Sequence, residues 1–145
     1  MTNSRDLNEL EPETRKRAIA FLEEAKKRGY RVLVTSTFRS AQSQNELYAQ
    51  GRTKPGMKVT NARAGYSWHN FRMAFDIVPL TANGKADWNN TKAFRELGEL
   101  GETFGLEWGG RWSKFPDMPH FQFVSGHTLE EARKRFGIEM SKNQL

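Results

Sequence analysis

A chain of 145 residues is long enough for one domain with a real core, expected here over 1–145 with the core within about residues 10–136. It has no cysteine, which excludes disulfide staples and thiolate metal sites, so any metal would take nitrogen and oxygen ligands. The net charge of +6 is modest and favours approach to a polyanion, but Arg15-Lys16-Arg17 lies in a helix of mixed sign, and no nucleic-acid partner is expected.

Residues 1–11 read as a lead-in. Pro12 suits a first helical turn, and Ala18, Ile19, Leu22 and Ala25 recur at helical spacing, so a helix is expected from about Pro12 to Arg28, stopped by Gly29. Tyr30 to Thr37 is rich in β-branched residues and reads as a buried strand centred on Val32-Leu33-Val34, with Arg39 at its end. A second helix covers about Ala41 to Gln50. Residues 51–66 lack periodicity and read as a long loop bordering a site. From Phe71 to Val78, the residues Phe71, Met73, Phe75 and Ile77 alternate with Arg72, Ala74, Asp76 and Val78, a strand pattern ending at Pro79. Asn83-Gly84 marks a turn, and Asn90 caps a helix to about Phe104 with Phe94, Leu97, Leu100, Gly101 and Phe104 as its buried stripe. Trp108 to Pro119 reads as a loop, His120 to Val124 as a strand, and Thr128 with Glu131 as the capping box of a last helix to about Phe136, before a frayed tail over 138–145. Segregated strands and helices suggest an α+β fold, a small antiparallel or mixed sheet with helices packed on it. No apolar run approaches membrane-spanning length, and the opening Met1-Thr2-Asn3-Ser4-Arg5-Asp6 lacks the apolar core of a secretory signal. The chain is therefore expected to be made in the cytoplasm with no membrane partner.

Two of the three histidines stand beside carboxylates. His69 precedes Asp76 in Ser67-Trp68-His69-Asn70-Phe71-Arg72-Met73-Ala74-Phe75-Asp76, and Asp117-Met118-Pro119-His120 pairs the others. Two imidazoles and a carboxylate are enough to hold a zinc with one position open, and a second carboxylate could act as base. The spacing alone also suits structural histidines and surface acids. His127, between Gly126 and the last cap, reads as a surface histidine. Of the four tryptophans, Trp68 and Trp112 lie nearest the two segments and are the better candidates for substrate contact.

The segment Ser67 to Asp76 resembles the S-x-H-x-x-G-x-A-x-D signature of VanY-type zinc peptidases, the D-alanyl-D-alanine carboxypeptidases and L-alanyl-D-glutamate endopeptidases of peptidoglycan. Phe38-Arg39-Ser40 with Gln44 is similar to the family's Y-R-S-x-x-x-Q. The stretches Tyr48 to Gly56, Val59-Thr60-Asn61-Ala62 and Gly105-Leu106-Glu107-Trp108-Gly109-Gly110 resemble its phage endolysin branch, and the likeness runs from about Leu10 to Val124 in the family's order. The resemblance implies a DD-peptidase/hedgehog-like fold, one Zn2+ per chain held by His69, Asp76 and His120, Asp117 as the catalytic carboxylate, and Arg39 binding substrate and steadying negative charge. Gln44 and Ser67 are expected among the substrate-binding residues; for Ser67 the residues alone suggest a hydrogen bond donated near the ligands, or an ordinary turn serine. One position departs: the family's glycine is Arg72 here. Strand alternation would put Arg72 on the face of Asp76, its stem along the cleft wall and its guanidinium at the mouth, a binding site for an anionic stem peptide. The other option is a strand that starts after position 72 and turns the side chain away.

The expectation is thus a monomeric zinc endopeptidase cutting the L-alanyl-D-glutamate bond of the murein stem peptide, a phage or prophage endolysin that reaches the wall after release. The rivals are a D-alanyl-D-alanine carboxypeptidase and a catalytically silent, zinc-stabilised wall-binding domain. Asp117 speaks against the silent domain, which has no need of a base.

Overall fold

The computed structural model describes residues 2–135. Four strands form one sheet in the order β1-β2-β4-β3, with β1 Val32–Ser36, β2 Ala74–Pro79, β3 Glu107–Trp108 and β4 His120–Gln122, every neighbouring pair antiparallel. Three helices accompany it: α1 Pro12–Lys27, α2 Ala41–Ala49 and α3 Thr91–Glu102. Residues 129–135 are also helical, and Thr128 and Glu131 make the reciprocal bonds of the expected capping box. The expected end at Phe136 and the tail over 138–145 lie outside the described residues.

Strand alternation divides the sheet into two functions. Phe75 and Ile77 of β2 and Phe121 of β4 face α1 and α3, where they join Ala18, Phe21 and Ala25 of α1 and Leu97 and Leu100 of α3 in one core. Phe75 and Phe121 stack at 5.5 Å between ring centroids, with Phe21 at 5.0 Å from Phe121. The intervening residues Asp76, His120 and Gln122 are thereby committed to the opposite face. α3 carries the buried stripe expected for it, Phe94, Leu97, Leu100 and Gly101, and Asn90 caps it through Ala93 N–H.

Several expectations need correction. β1 is an edge strand, not a buried one: Leu33 is 38% exposed because only β2 flanks it. β2 begins at Ala74, not Phe71. Trp68–Phe71 is a 3-10 turn capped by Ser67, and Arg72 leaves it in the left-handed conformation at φ 65°. Phe71 and Met73 are buried, which imitates strand alternation in the sequence, but the chain there is turning. β3 falls partly inside the expected loop. Residues 2–11 are also more than a lead-in, since residues 2–4 pair with the segment after β1, and Asp6 caps a 3-10 turn over Leu7–Glu9.

Candidate active site

The sheet register assembles the site. On central strand β2, Asp76 is paired directly with His120 on β4 and with Ser36 on β1. Opposed residues in antiparallel strands project on the same face within about 5.5 Å. His69 comes from the 3-10 turn just before β2 and is buried against the end of β1. One ligand atom from each of His69, Asp76 and His120 lies within 4.8 Å of the others. His127 stands apart from this cluster and is half-buried.

Hydrogen bonds fix which ring nitrogen each histidine turns inward. Nδ1 of His69 donates to the Thr37 carbonyl at 2.9 Å, so its Nε2 faces Asp76 Oδ1 at 3.1 Å. His120 is arranged the other way round. Its Nε2 lies 2.8 Å from Gln122 Oε1, and its Nδ1 faces the same Asp76 oxygen at 3.2 Å. The Gln122 amide cannot flip, because its Nε2 donates to Glu107 Oε2 at 3.0 Å and a carboxylate only accepts. A carbonyl oxygen likewise only accepts from His69. With both imidazoles neutral, two ring lone pairs and an anionic oxygen converge on one small space. That arrangement repels itself unless a cation sits between them, and its donors are those of a zinc site.

The charges respond accordingly. Burial alone would raise the Asp76 carboxyl, but the charge of His69 and the hydrogen bonds of both imidazoles hold it well below the usual carboxylate range. Burial pulls His120 down, yet its hydrogen bond to Asp76 and the charges of Asp76 and Asp117 leave it above its ordinary value.

The cluster opens into a cleft of about 1030 Å³ whose walls include Trp68, Ser67, Trp112, Asp117 and Arg39. Trp112 packs on His120 with ring centroids 5.1 Å apart. Asp117 is placed by the preceding loop: its N–H donates to the Gly109 carbonyl at 2.9 Å, and Trp108 Nε1 holds Met118 O at 2.8 Å. A side chain at Gly109 would start 2.4 Å from the Asp117 carbonyl oxygen, so glycine is what allows this approach. Burial raises the Asp117 carboxyl and Asp76 adds to this, while His120, His69 and Arg39 oppose it. Burial lowers Arg39, with Asp76 and Asp117 opposing; an arginine nonetheless stays charged. Its Nη2 lies 3.9 Å from Asp76 Oδ2.

The other expected site residues fare differently. Ser67 lines the cleft, and its Oγ accepts from His69 N–H at 3.3 Å, shaping the turn that carries the ligand. Gln44 is fully buried and holds no wall of the cleft. Its Oε1 accepts from Arg39 at 3.0 Å, and its Nε2 donates to Ala62 O at 2.7 Å. It braces Arg39 and ties down the 51–66 loop instead of reaching substrate. Arg72 is turned out of the cleft. It pairs with Glu9, and its guanidinium lies 3.9 Å over the Phe38 ring. The left-handed backbone at 72 is also the reason a glycine suits that position. Two cations that the sequence reading passed over, Lys58 and Lys114, do line the cleft. Glu107 and Gln122 were missed as well.

Fold and site together define an α+β protein built around a carboxylate–imidazole centre with the donors of a metal site. Residues 7–125 match the family model for VanY, D-alanyl-D-alanine carboxypeptidase, and the chain belongs to that family. It is 38% identical over 125 residues to the peptidoglycan L-alanyl-D-glutamate endopeptidase CwlK of Bacillus subtilis, covering 81% of this chain and 75% of that one. It is 30% identical over 121 residues to the L-alanyl-D-glutamate peptidase of Listeria phage A118, covering 81% of this chain but only 39% of the phage protein. Among solved structures, the L-Ala D-Glu endopeptidase ChiX of Serratia marcescens superposes with a TM-score of 0.62 at 21% identity, over 81% of this chain and 83% of that one. A vancomycin-resistance D,D-pentapeptidase VanY variant in complex with Zn(II) gives 0.60 at 17% identity, over 94% and 84%.

Proposed function

We propose that this protein is a zinc peptidase that cuts the L-alanyl-D-glutamate bond of the peptidoglycan stem peptide. The observation that carries the reading is the convergence of His69 Nε2, Asp76 Oδ1 and His120 Nδ1 at the floor of a cleft that also holds Asp117. The bond assignment follows the two relatives with that named activity. One zinc per chain fits the single three-ligand cluster among the described residues. Zinc in such a site supplies Lewis acidity, polarising a carbonyl and making water acidic enough to attack at neutral pH.

The chain's own groups do the rest. Asp117 takes the proton of the attacking water and passes it to the leaving amine; burial raises its affinity for protons, which makes it a better base than a free carboxylate. Arg39 faces the negative charge that builds on the scissile oxygen or on a substrate carboxylate. Lys58 and Lys114 supply the anion-attracting rim first expected of Arg72. Trp68, Trp112 and Ser67 offer contacts for the peptide. The protein works as a monomer on the wall. The phage relative favours a lysis enzyme that is made in the host cytoplasm and released to its substrate.

Mass spectrometry of purified muropeptides, incubated with and without chelator, tests this. A new D-glutamate amino terminus that disappears with chelator supports the reading. Free D-alanine would place the protein with the carboxypeptidases, and retention on the wall with no cleavage would make it a binding domain.

A further inference from the structure

Residues 2–4 run antiparallel to the segment that follows β1, and Asn3 bridges Arg39. Ser4 N–H donates to Phe38 O at 2.8 Å, Thr37 N–H to Ser4 O at 2.7 Å, and Ser40 N–H to Thr2 O at 2.8 Å. This pairing holds the Asn3 side chain in the cleft wall. Its Oδ1 accepts the hydroxyl proton of Ser36 at 2.8 Å, and the Ser36 oxygen accepts from Arg39 Nη2 at 3.1 Å. Arg39 Nη1 donates to Gln44.

Ser36 has one proton and sits directly opposite Asp76 in the strand register. If that proton turned toward Asp76, it would compete for a carboxylate that the ligand cluster needs, and the lone pairs holding Arg39 would rotate away. Asn3 removes the ambiguity by taking the proton. With Ser36 and Gln44 each engaging one Nη, the guanidinium plane is set. Its Nε is buried with no hydrogen-bond partner among the described residues, so the geometry of Arg39 depends on what its two Nη atoms meet.

We propose that Asn3 is a positioning residue for the peptidase reaction, acting through the Ser36 hydroxyl to fix the Arg39 guanidinium. The N-terminal arm is thus part of the active-site wall. This rests on the reading that Arg39 acts on substrate in this cleft, and the test separates the two.

Steady-state cleavage of purified muropeptide is measured for Asn3→Ala, Asn3→Asp, Arg39→Ala and the double variant Asn3→Ala with Arg39→Ala. In parallel, the Arg39 side-chain Nε–Hε signal is followed by NMR. Asn3→Ala lowers kcat/KM about tenfold, within the range for residues sharing one hydrogen-bond network. Asn3→Asp recovers most of it, because a carboxylate still accepts from Ser36. Asn3→Ala adds nothing in the Arg39→Ala background, and the Arg39 signal shifts in Asn3→Ala but not in Asn3→Asp. An unshifted Arg39 signal in Asn3→Ala, or an equal loss on the Arg39→Ala background, overturns the proposal. Arg39→Ala at wild-type rate sinks the role of Arg39 in the reaction, and the NMR arm still decides whether Asn3 fixes it.

Discussion

Gln122 does for His120 what a backbone carbonyl does for His69, and the two solutions differ in strength. The Thr37 carbonyl cannot be mutated away, whereas the bond from His120 passes through Gln122 to Glu107 and can be cut at either residue. Gln122→Leu should lower zinc affinity about 10- to 100-fold, the usual effect of losing an outer partner of a ligating histidine. Competition with a chromogenic chelator reads this directly, and unchanged affinity would mean that Asp76 alone orients His120. Asp117→Asn should behave in the opposite way. It should keep the metal and the fold, since Asp117 stands outside the cluster of His69, Asp76 and His120, and lose about 10²–10⁴ in rate if it is the proton acceptor proposed above. Near-normal turnover in Asp117→Asn would move the base elsewhere. At this scale the sequence was partly legible. His69, Asp76, His120 and Asp117 are of the residue types that do chemistry, and the structure gathers all four about one cleft. The pair Gln122 and Glu107 could not be seen, because a glutamine two residues after a histidine shares its face only once the strand is known. Its partner lies on a strand of only two residues.

The turn from Trp68 to Arg72 is the element where pattern misled. Alternating burial of Phe71, Met73 and Phe75 looks like one strand, but the first two are buried by a turn whose last residue takes a positive φ. Arg72 tolerates that backbone by leaving the cleft and spending its side chain on Glu9 and Phe38. Arg72→Gly would relieve left-handed strain of about 1 kcal/mol. It would give up a half-exposed ion pair and a stacking contact together worth a similar amount. Stability should change by less than about 1 kcal/mol, measured by urea denaturation. KM should match that of the unsubstituted protein at every salt concentration, and a rise above it at low salt would return Arg72 to the substrate path. The edge strand β1 misled in a related way. Val32-Leu33-Val34 has the composition of a buried strand, yet its place at the rim of the sheet is a matter of topology that composition does not carry.

For the whole molecule, the α+β class and the order of elements were readable, because α1 and α3 show helical periodicity and clear caps. Which strands neighbour which was not, and that order is what brings β2 and β4 together. The ligands come from a turn, a central strand and its neighbour, so a bound ion cross-links segments 51 residues apart in the chain, His69 to His120. Zinc that binds only the folded form, at a hundredfold excess over its dissociation constant, adds about 2.7 kcal/mol. For a chain of this size that is a rise in Tm of roughly 5–10 °C over the chelated protein. His69→Ala should abolish the rise, and an undiminished shift in that variant would place the ion at another site.

The two histidines present opposite edges to the same oxygen, and this decides what could replace them. An amide oxygen carried on one methylene falls near where Nδ1 sits in an imidazole, and one carried on two methylenes falls near Nε2. Asparagine is therefore the nearer mimic at 120, where Nδ1 faces Asp76, and glutamine at 69, where Nε2 does. Exchanging the two amides would leave each donor a bond length out of place. The site has a handedness that a formula of two histidines and one aspartate does not express.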